Sequence, residues 1–178
     1  MKSVLLTGGA RSGKSIMAQE LARKIGGAVL FVATAEAGDD EMQERIEKHR
    51  QARPSEWGIL EVTSNLGSQI TKHRGGIKTI IIDCITLLVS NILGQCGEKA
   101  RPAAIEKAVT AEINELIKCI KKTRANFIIV TNEVGMGIVP GDRTSRLYRD
   151  LLGKANQMLA ASVDEVYLLV AGIPIKIK

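Results

Sequence analysis

The sequence predicts an α/β fold with a mainly parallel sheet. Apolar runs of strand length alternate along it with stretches whose apolar residues recur every three or four positions. One such run, Val4-Leu5-Leu6-Thr7, enters the glycine-rich segment Gly8-Gly9-Ala10-Arg11-Ser12-Gly13-Lys14-Ser15 and then a helical stripe. Another, Lys78-Thr79-Ile80-Ile81-Ile82-Asp83, is β-branched and ends in a carboxylate.

Residues 8–15 fit G-x-x-x-x-G-K-[ST], the phosphate-binding P-loop. A phosphate chain needs many donors at close range, and backbone N–H groups supply them only where side chains leave room. Gly8, Gly9 and Gly13 leave that room. Lys14 offers a point charge to the outer phosphates, and Ser15 offers a hydroxyl to Mg²⁺. Ala18, Leu21, Ala22 and Ile25 then mark a helix whose N-terminus faces the phosphates. The strand–loop–helix order argues against a mere glycine turn.

Gly26-Gly27 ends that helix. Ala28 to Ala33 reads as a strand buried on both faces. Thr34-Ala35-Glu36 follows at its carboxyl end, where open α/β sheets bind ligands. These residues approach the nucleotide if that strand lies close to the first. Asp39 to about Ala52 reads as a helix, acidic at its start and basic at its end (Lys48, Arg50, Arg53), as the macrodipole favours. Met42, Ile46 and His49 share one face, so His49 points with the apolar stripe. Without further information, a packed core role competes with catalysis there. Arg53-Pro54 stops the helix.

Glu56 to Thr63 is a candidate strand, with Glu61 near its end. Ser64 to His73 reads as a short helix, and Gly75-Gly76 as a turn. The strand Lys78–Asp83 has the Walker B pattern, an acidic group at a strand end near Mg²⁺ or its water; a helix cap is the alternative. A helix over Ile85–Leu93 leads to Gly94–Arg101, a polar stretch expected to be a mobile loop. Pro102 opens a long amphipathic helix with Ile105, Val109, Ile113, Leu116, Ile117 and Ile120 toward the core. A buried strand, Asn126–Thr131, runs into Asn132-Glu133-Val134-Gly135-Met136-Gly137, a site loop or an ordinary connection.

Pro140-Gly141-Asp142 starts the last helix, with its stripe at Leu147, Leu151, Ala155, Met158 and Leu159. Arg143, Arg146 and Arg149 lie on another face, for a phosphate, a neighbouring subunit or solvent. Val166–Val170 and Ile173–Ile177, joined tightly at Gly172, form an antiparallel hairpin at the sheet edge.

The 178 residues, 45% hydrophobic and 25% charged, suit one globular domain spanning 1–178. Three cysteines without C-x-x-C spacing (Cys84, Cys96, Cys119) disfavour a disulfide framework or a zinc site and point to a reducing compartment. The apolar part of the N-terminus is too short for a signal peptide, and Ile80–Val89 is too short to cross a bilayer. A cytoplasmic protein is expected. The net charge of +6 suits an anionic ligand or simple solubility. Aromatics at 3% are too few for the stacking platforms of a single-strand nucleic-acid binder. The guanine-reading N/T-K-x-D of a GTPase switch is missing, which leaves a compact kinase as the better fit to this length. A RecA-like ATP-binding module coupled to a partner is the alternative.

A wider set of motifs resembles one family. These are Gly8 to Ser15; Asp39-Asp40-Glu41-Met42, Arg45-Ile46, His49 and Arg53-Pro54; Thr131-Asn132-Glu133-Val134-Gly135-Met136-Gly137-Ile138-Val139-Pro140; and Gly172 with Ile175-Lys176-Ile177-Lys178. Together they look like the bifunctional adenosylcobinamide kinase/adenosylcobinamide-phosphate guanylyltransferase of cobalamin biosynthesis. The resemblance implies a RecA-like fold and two reactions. ATP or GTP phosphorylates adenosylcobinamide, and GTP then gives GMP to that phosphate through a guanylylated histidine. It assigns the nucleophile to His49 and implies GTP contacts at Gly8 to Ser15, Thr34, Ala35, Glu36, Arg50, Gln51, Ala52, Arg53, Glu61 and Asp83. Mg²⁺ at Ser15 and Asp83, and a trimer, are also implied.

Overall fold

The computed structural model describes residues 1–35, 43, 44, 47, 50, 54–73, 75–97 and 99–178. Its strands are β1 (Ser3–Gly8), β2 (Val29–Ala33), β3 (Gly58–Glu61), β4 (Thr79–Asp83), β5 (Asn126–Val130), β6 (Glu165–Val170) and β7 (Ile173–Lys176). Its helices are α1 (Lys14–Ile25), α2 (Leu66–His73), α3 (Ile85–Cys96), α4 (Pro102–Lys122) and α5 (Arg143–Ser162). The strands form one sheet in the order β3-β2-β4-β5-β1-β6-β7. Every neighbouring pair is parallel except β6–β7, the hairpin expected at the edge.

Burial explains the order. All of β1 and β2 is buried, as is nearly all of β4 and β5, so these apolar runs take the middle. β3 buries only Leu60 and β7 buries nothing, and both lie at edges. On one face α1 packs Ala18 and Ala22 against Leu6, Phe31, Ile81 and Ile128. The other face carries the larger core, where Ile70 of α2, Leu88 of α3, Ile113 of α4 and Leu152 of α5 cover Leu5, Val32, Ile82 and Ile129.

The helices join through contacts that skip long stretches of chain. The buried Glu112 carboxylate of α4 accepts the N–H groups of Asn65 and Leu66, at 2.9 and 2.7 Å, and so caps α2. A Cβ on Gly67 would lie 2.7 Å from the Glu115 carbonyl oxygen, so α2 and α4 touch backbone to backbone there.

Three expectations are revised or left open. The loop expected at Gly94–Arg101 is shorter, because α3 continues through Gly94 to Cys96 and stops at Gly97, whose φ is 76°. Leu93 and Cys96 pack on the core and hold that last turn. Strand β2 is not beside β1, since β4 and β5 stand between them. Of the helix expected over Asp39–Ala52, Gln43, Glu44, Glu47 and Arg50 are helical; its other positions lie outside the described residues.

The hairpin is tied to the start of the chain by Glu165. Its carboxylate takes the ammonium groups of Lys176 at 2.6 Å and Lys2 at 2.8 Å. Those bonds pull its pKa from 4.5 down to about 2. A depressed carboxylate pKa stabilises the fold above its unfolded value and ceases to do so as pH falls through the folded one. The melting-temperature gap between the wild type and Glu165→Gln should therefore be full above about pH 4.5 and close toward pH 2. A gap independent of pH would rule the clamp out.

Candidate nucleotide site

The P-loop is shaped by positions where only glycine fits. Gly8 has φ 145°, and a Cβ there would lie 2.4 Å from the Leu169 carbonyl oxygen of β6. Gly13 has φ 95° and caps α1, and its Cβ would meet the Cα of Gly172 at 3.2 Å. Gly172, in the β6–β7 turn, also donates its N–H to the Ser12 carbonyl at 3.1 Å. The C-terminal hairpin thus braces the outer side of the loop. Arg11, at the exposed crest, has φ 57°.

Lys14 folds back over the loop. Its Nζ donates to the carbonyls of Gly8 (3.1 Å) and Gly9 (2.6 Å) and to the Ser12 hydroxyl (3.2 Å). The residue is only 6% exposed. A covered ammonium held over a glycine loop at a helix N-terminus is well placed for the outer oxygens of a phosphate chain.

The carboxyl ends of β4 and β5 complete this edge. In register, Asp83 pairs with Val130, and Val130 with Leu6. Asp83 is half-buried, and α1, which carries Ser15, packs against β4. Beyond β5, Thr131 donates its N–H to Leu6 and Glu133 donates its own to Gly8, at 2.9 and 3.0 Å. This loop is clamped from behind. Buried Asn156 of α5 accepts from the Thr131 hydroxyl at 2.7 Å and donates to the Asn132 carbonyl at 3.0 Å. Thr86 of α3 accepts the Asn132 N–H at 2.7 Å.

The remaining expected residues are placed differently. Thr34 is buried, and its hydroxyl binds both the carbonyl (2.6 Å) and the N–H (2.8 Å) of Cys84, stapling β2 to β4. Ala35 follows it at the same edge. Arg50 and Glu61 meet each other at 2.6 Å, at the end of edge strand β3. Four strand spacings separate β3 from β1, about 19 Å. Glu36, His49, Gln51, Ala52 and Arg53 lie outside the described residues. Of the arginines expected near the start of the last helix, Arg146 donates to the Pro140 and Gly141 carbonyls at 2.8 and 2.7 Å. Arg149 pairs with Asp150 at 3.0 Å.

Sequence reasoning did not single out Gly172, Thr86 or Asn156 for this edge. Only Gly172 carried a signal, its position in a tight turn.

A parallel sheet with a glycine cradle after β1 and an acid ending β4 defines a RecA-like P-loop nucleotide-binding protein. Two solved structures agree with this fold. The RadB recombinase superposes with a TM-score of 0.52 at 12% identity, covering 94% of this chain and 73% of that one. The type III secretion ATPase EscN of enteropathogenic E. coli gives 0.58 at 9% identity, covering 96% and 43%.

Residues 4–177 match the family model for cobinamide kinase / cobinamide phosphate guanyltransferase, and the chain belongs to that family of bifunctional transferases. It is 45% identical to the bifunctional adenosylcobalamin biosynthesis protein CobU of Salmonella typhimurium, over 98% of this chain and 99% of the relative. The CobU protein of Escherichia coli is 44% identical, with the same coverage. CobP of Pseudomonas aeruginosa is 37% identical over 98% of this chain and 96% of the relative.

Proposed function

We propose that this enzyme phosphorylates the aminopropanol hydroxyl of adenosylcobinamide with ATP or GTP, then transfers GMP from GTP to the new phosphate. The transfer passes through a guanylylated His49 and releases pyrophosphate. The observation that carries the reading is the cradle at residues 8–15, with Lys14 folded into it, in a chain that matches the kinase/guanyltransferase family over residues 4–177.

Gly8, Gly9, Ala10, Arg11, Ser12, Gly13 and Lys14 hold the phosphate chain. Thr34, Ala35, Glu36, Arg50, Gln51, Ala52, Arg53 and Glu61 serve the rest of GTP; Thr34 does so through the staple that fixes its strand end. Ser15 and Asp83 would hold Mg²⁺. Both are hard oxygen donors, and α1, which begins with Lys14 and Ser15, packs against β4, which ends at Asp83. Bound there, Mg²⁺ would neutralise charge on the phosphate oxygens.

His49 is favoured by the placement of the chain's other histidine. Helix α2 runs from the end of β3 back to the start of β4, so its last residue, His73, sits at the amino edge of the sheet. The cradle is at the carboxyl edge. The separation of Arg50 and Glu61 from β1 fits a site completed by an adjoining protomer, as in the trimer proposed here. The proposed unit is one domain, residues 1–178, in the cytoplasm, without a nucleic-acid partner. Among the described residues no helix is long and apolar enough to cross a membrane.

Incubation with adenosylcobinamide and GTP should yield adenosylcobinamide-GDP and pyrophosphate. With ATP alone the reaction should stop at adenosylcobinamide phosphate. Formation of neither product would overturn the reading, and light scattering at other than three chains would remove the trimer.

A further inference from the structure

We infer that Glu133 is the base that takes the proton from the acceptor hydroxyl during phosphoryl transfer. This rests on the kinase reading above and assigns a group to a step that reading leaves without one.

Three carboxylates on described residues stand at or just beyond the carboxyl ends of the strands between β3 and β1: Glu61, Asp83 and Glu133. Glu61 belongs to the far edge and is held by Arg50 at 2.6 Å. Asp83 ends β4, with β5 between it and the cradle strand, and is assigned to the metal. Glu133 follows β5, the neighbour of β1, and its N–H is bonded to Gly8 at 3.0 Å. The same Gly8 carbonyl accepts from Lys14 at 3.1 Å. One oxygen therefore joins the residue to the loop that grips the phosphates.

The backbone at Glu133 is well fixed. Asn156 and Thr86 hold Thr131 and Asn132 from behind. The residue is half-buried, and its Oε1 accepts the Gly135 N–H at 2.8 Å, which leaves further lone pairs. Asn132, one residue earlier, cannot accept a proton as a base. Past Gly135 the loop exposes Met136 (81%) and Ile138 (97%), so a bulky, partly apolar acceptor can reach this flank without displacing packed chain.

The step balances. The acceptor oxygen forms a bond to the γ-phosphorus as the bond to the β-phosphate oxygen breaks. The hydroxyl proton passes to the Glu133 carboxylate, and the nucleoside diphosphate leaves. Because phosphoryl-transfer transition states are loose, little proton movement precedes them. The expected effect is then at the low end for general-base catalysis, about a hundredfold.

Single-turnover phosphorylation of adenosylcobinamide by ATP provides the test. Glu133→Gln keeps an oxygen for the Gly135 N–H and the backbone bond to Gly8, and removes only basicity. Its rate should fall about a hundredfold, with the Kd of a non-hydrolysable ATP analogue shifted less than about threefold. Glu133→Ala should regain part of its rate in formate. A Glu133→Gln rate near the wild type would overturn the assignment, as would a rate loss matched by weaker ATP-analogue binding with no formate rescue. If the wild type itself transfers no phosphate, the kinase reading fails instead.

Discussion

A His49→Ala variant should take up no detectable label from α-labelled GTP, a loss beyond about a thousandfold. In the proposed half-reaction an imidazole nitrogen attacks the α-phosphorus, a P–N bond forms and pyrophosphate leaves. The acceptor phosphate then attacks that phosphorus, and the P–N bond breaks. Imidazole suits both halves, being largely neutral near pH 7 and a good leaving group from phosphorus. A phosphoramidate is labile to acid, because protonated nitrogen departs readily, and stable to alkali. Wild-type protein should therefore carry acid-labile, alkali-stable label. His73→Ala should label normally, since that ring sits at the sheet's amino edge, with Nδ1 3.0 Å from the Gln69 carbonyl oxygen. The His49 variant should still phosphorylate adenosylcobinamide, because the first reaction uses no histidine. Label that survives in His49→Ala, or an unlabelled wild type, would end the covalent account.

Lys14→Ala should lose phosphorylation of adenosylcobinamide, by about 10²- to 10³-fold in kcat/KM, the usual cost of removing one charged or hydrogen-bonding stabiliser from such a site. The structure gives the reason. The ammonium is buried and held by Gly8, Gly9 and Ser12, at the place where phosphate oxygens would gather charge. Labelling from GTP should weaken as well, because in the proposed transfer the departing pyrophosphate would use the same cradle. Circular dichroism and melting temperature separate this effect from collapse of the loop, which loses the Lys14 bonds to two carbonyls and a hydroxyl. Unchanged turnover would take the P-loop out of the mechanism.

Local residue order determined most of the elements and the chemistry of the cradle. Val4-Leu5-Leu6-Thr7 before a glycine loop can bury only as a strand, and Gly13-Lys14-Ser15 announces a phosphate by residue type alone. Asp83 is legible for the same reason, as an acid closing a β-branched run. Strand order is not local, and there sequence reasoning ran out. Whether β2 adjoins β1 depends on which runs outcompete it for the centre, and β4 and β5 do. Gly94 reads as a break, yet the helix continues because the core behind Leu93 and Cys96 stabilises the turn. Glu112 caps a helix some 46 residues earlier in the chain. Gly172 braces a loop near the opposite terminus, and Asn156 and Thr86 steady Asn132, where β5 gives way to the following loop. Period and residue type along the chain report what each segment can become. Which segments then touch is decided only when distant surfaces compete to be buried, and that competition exists only in the folded chain.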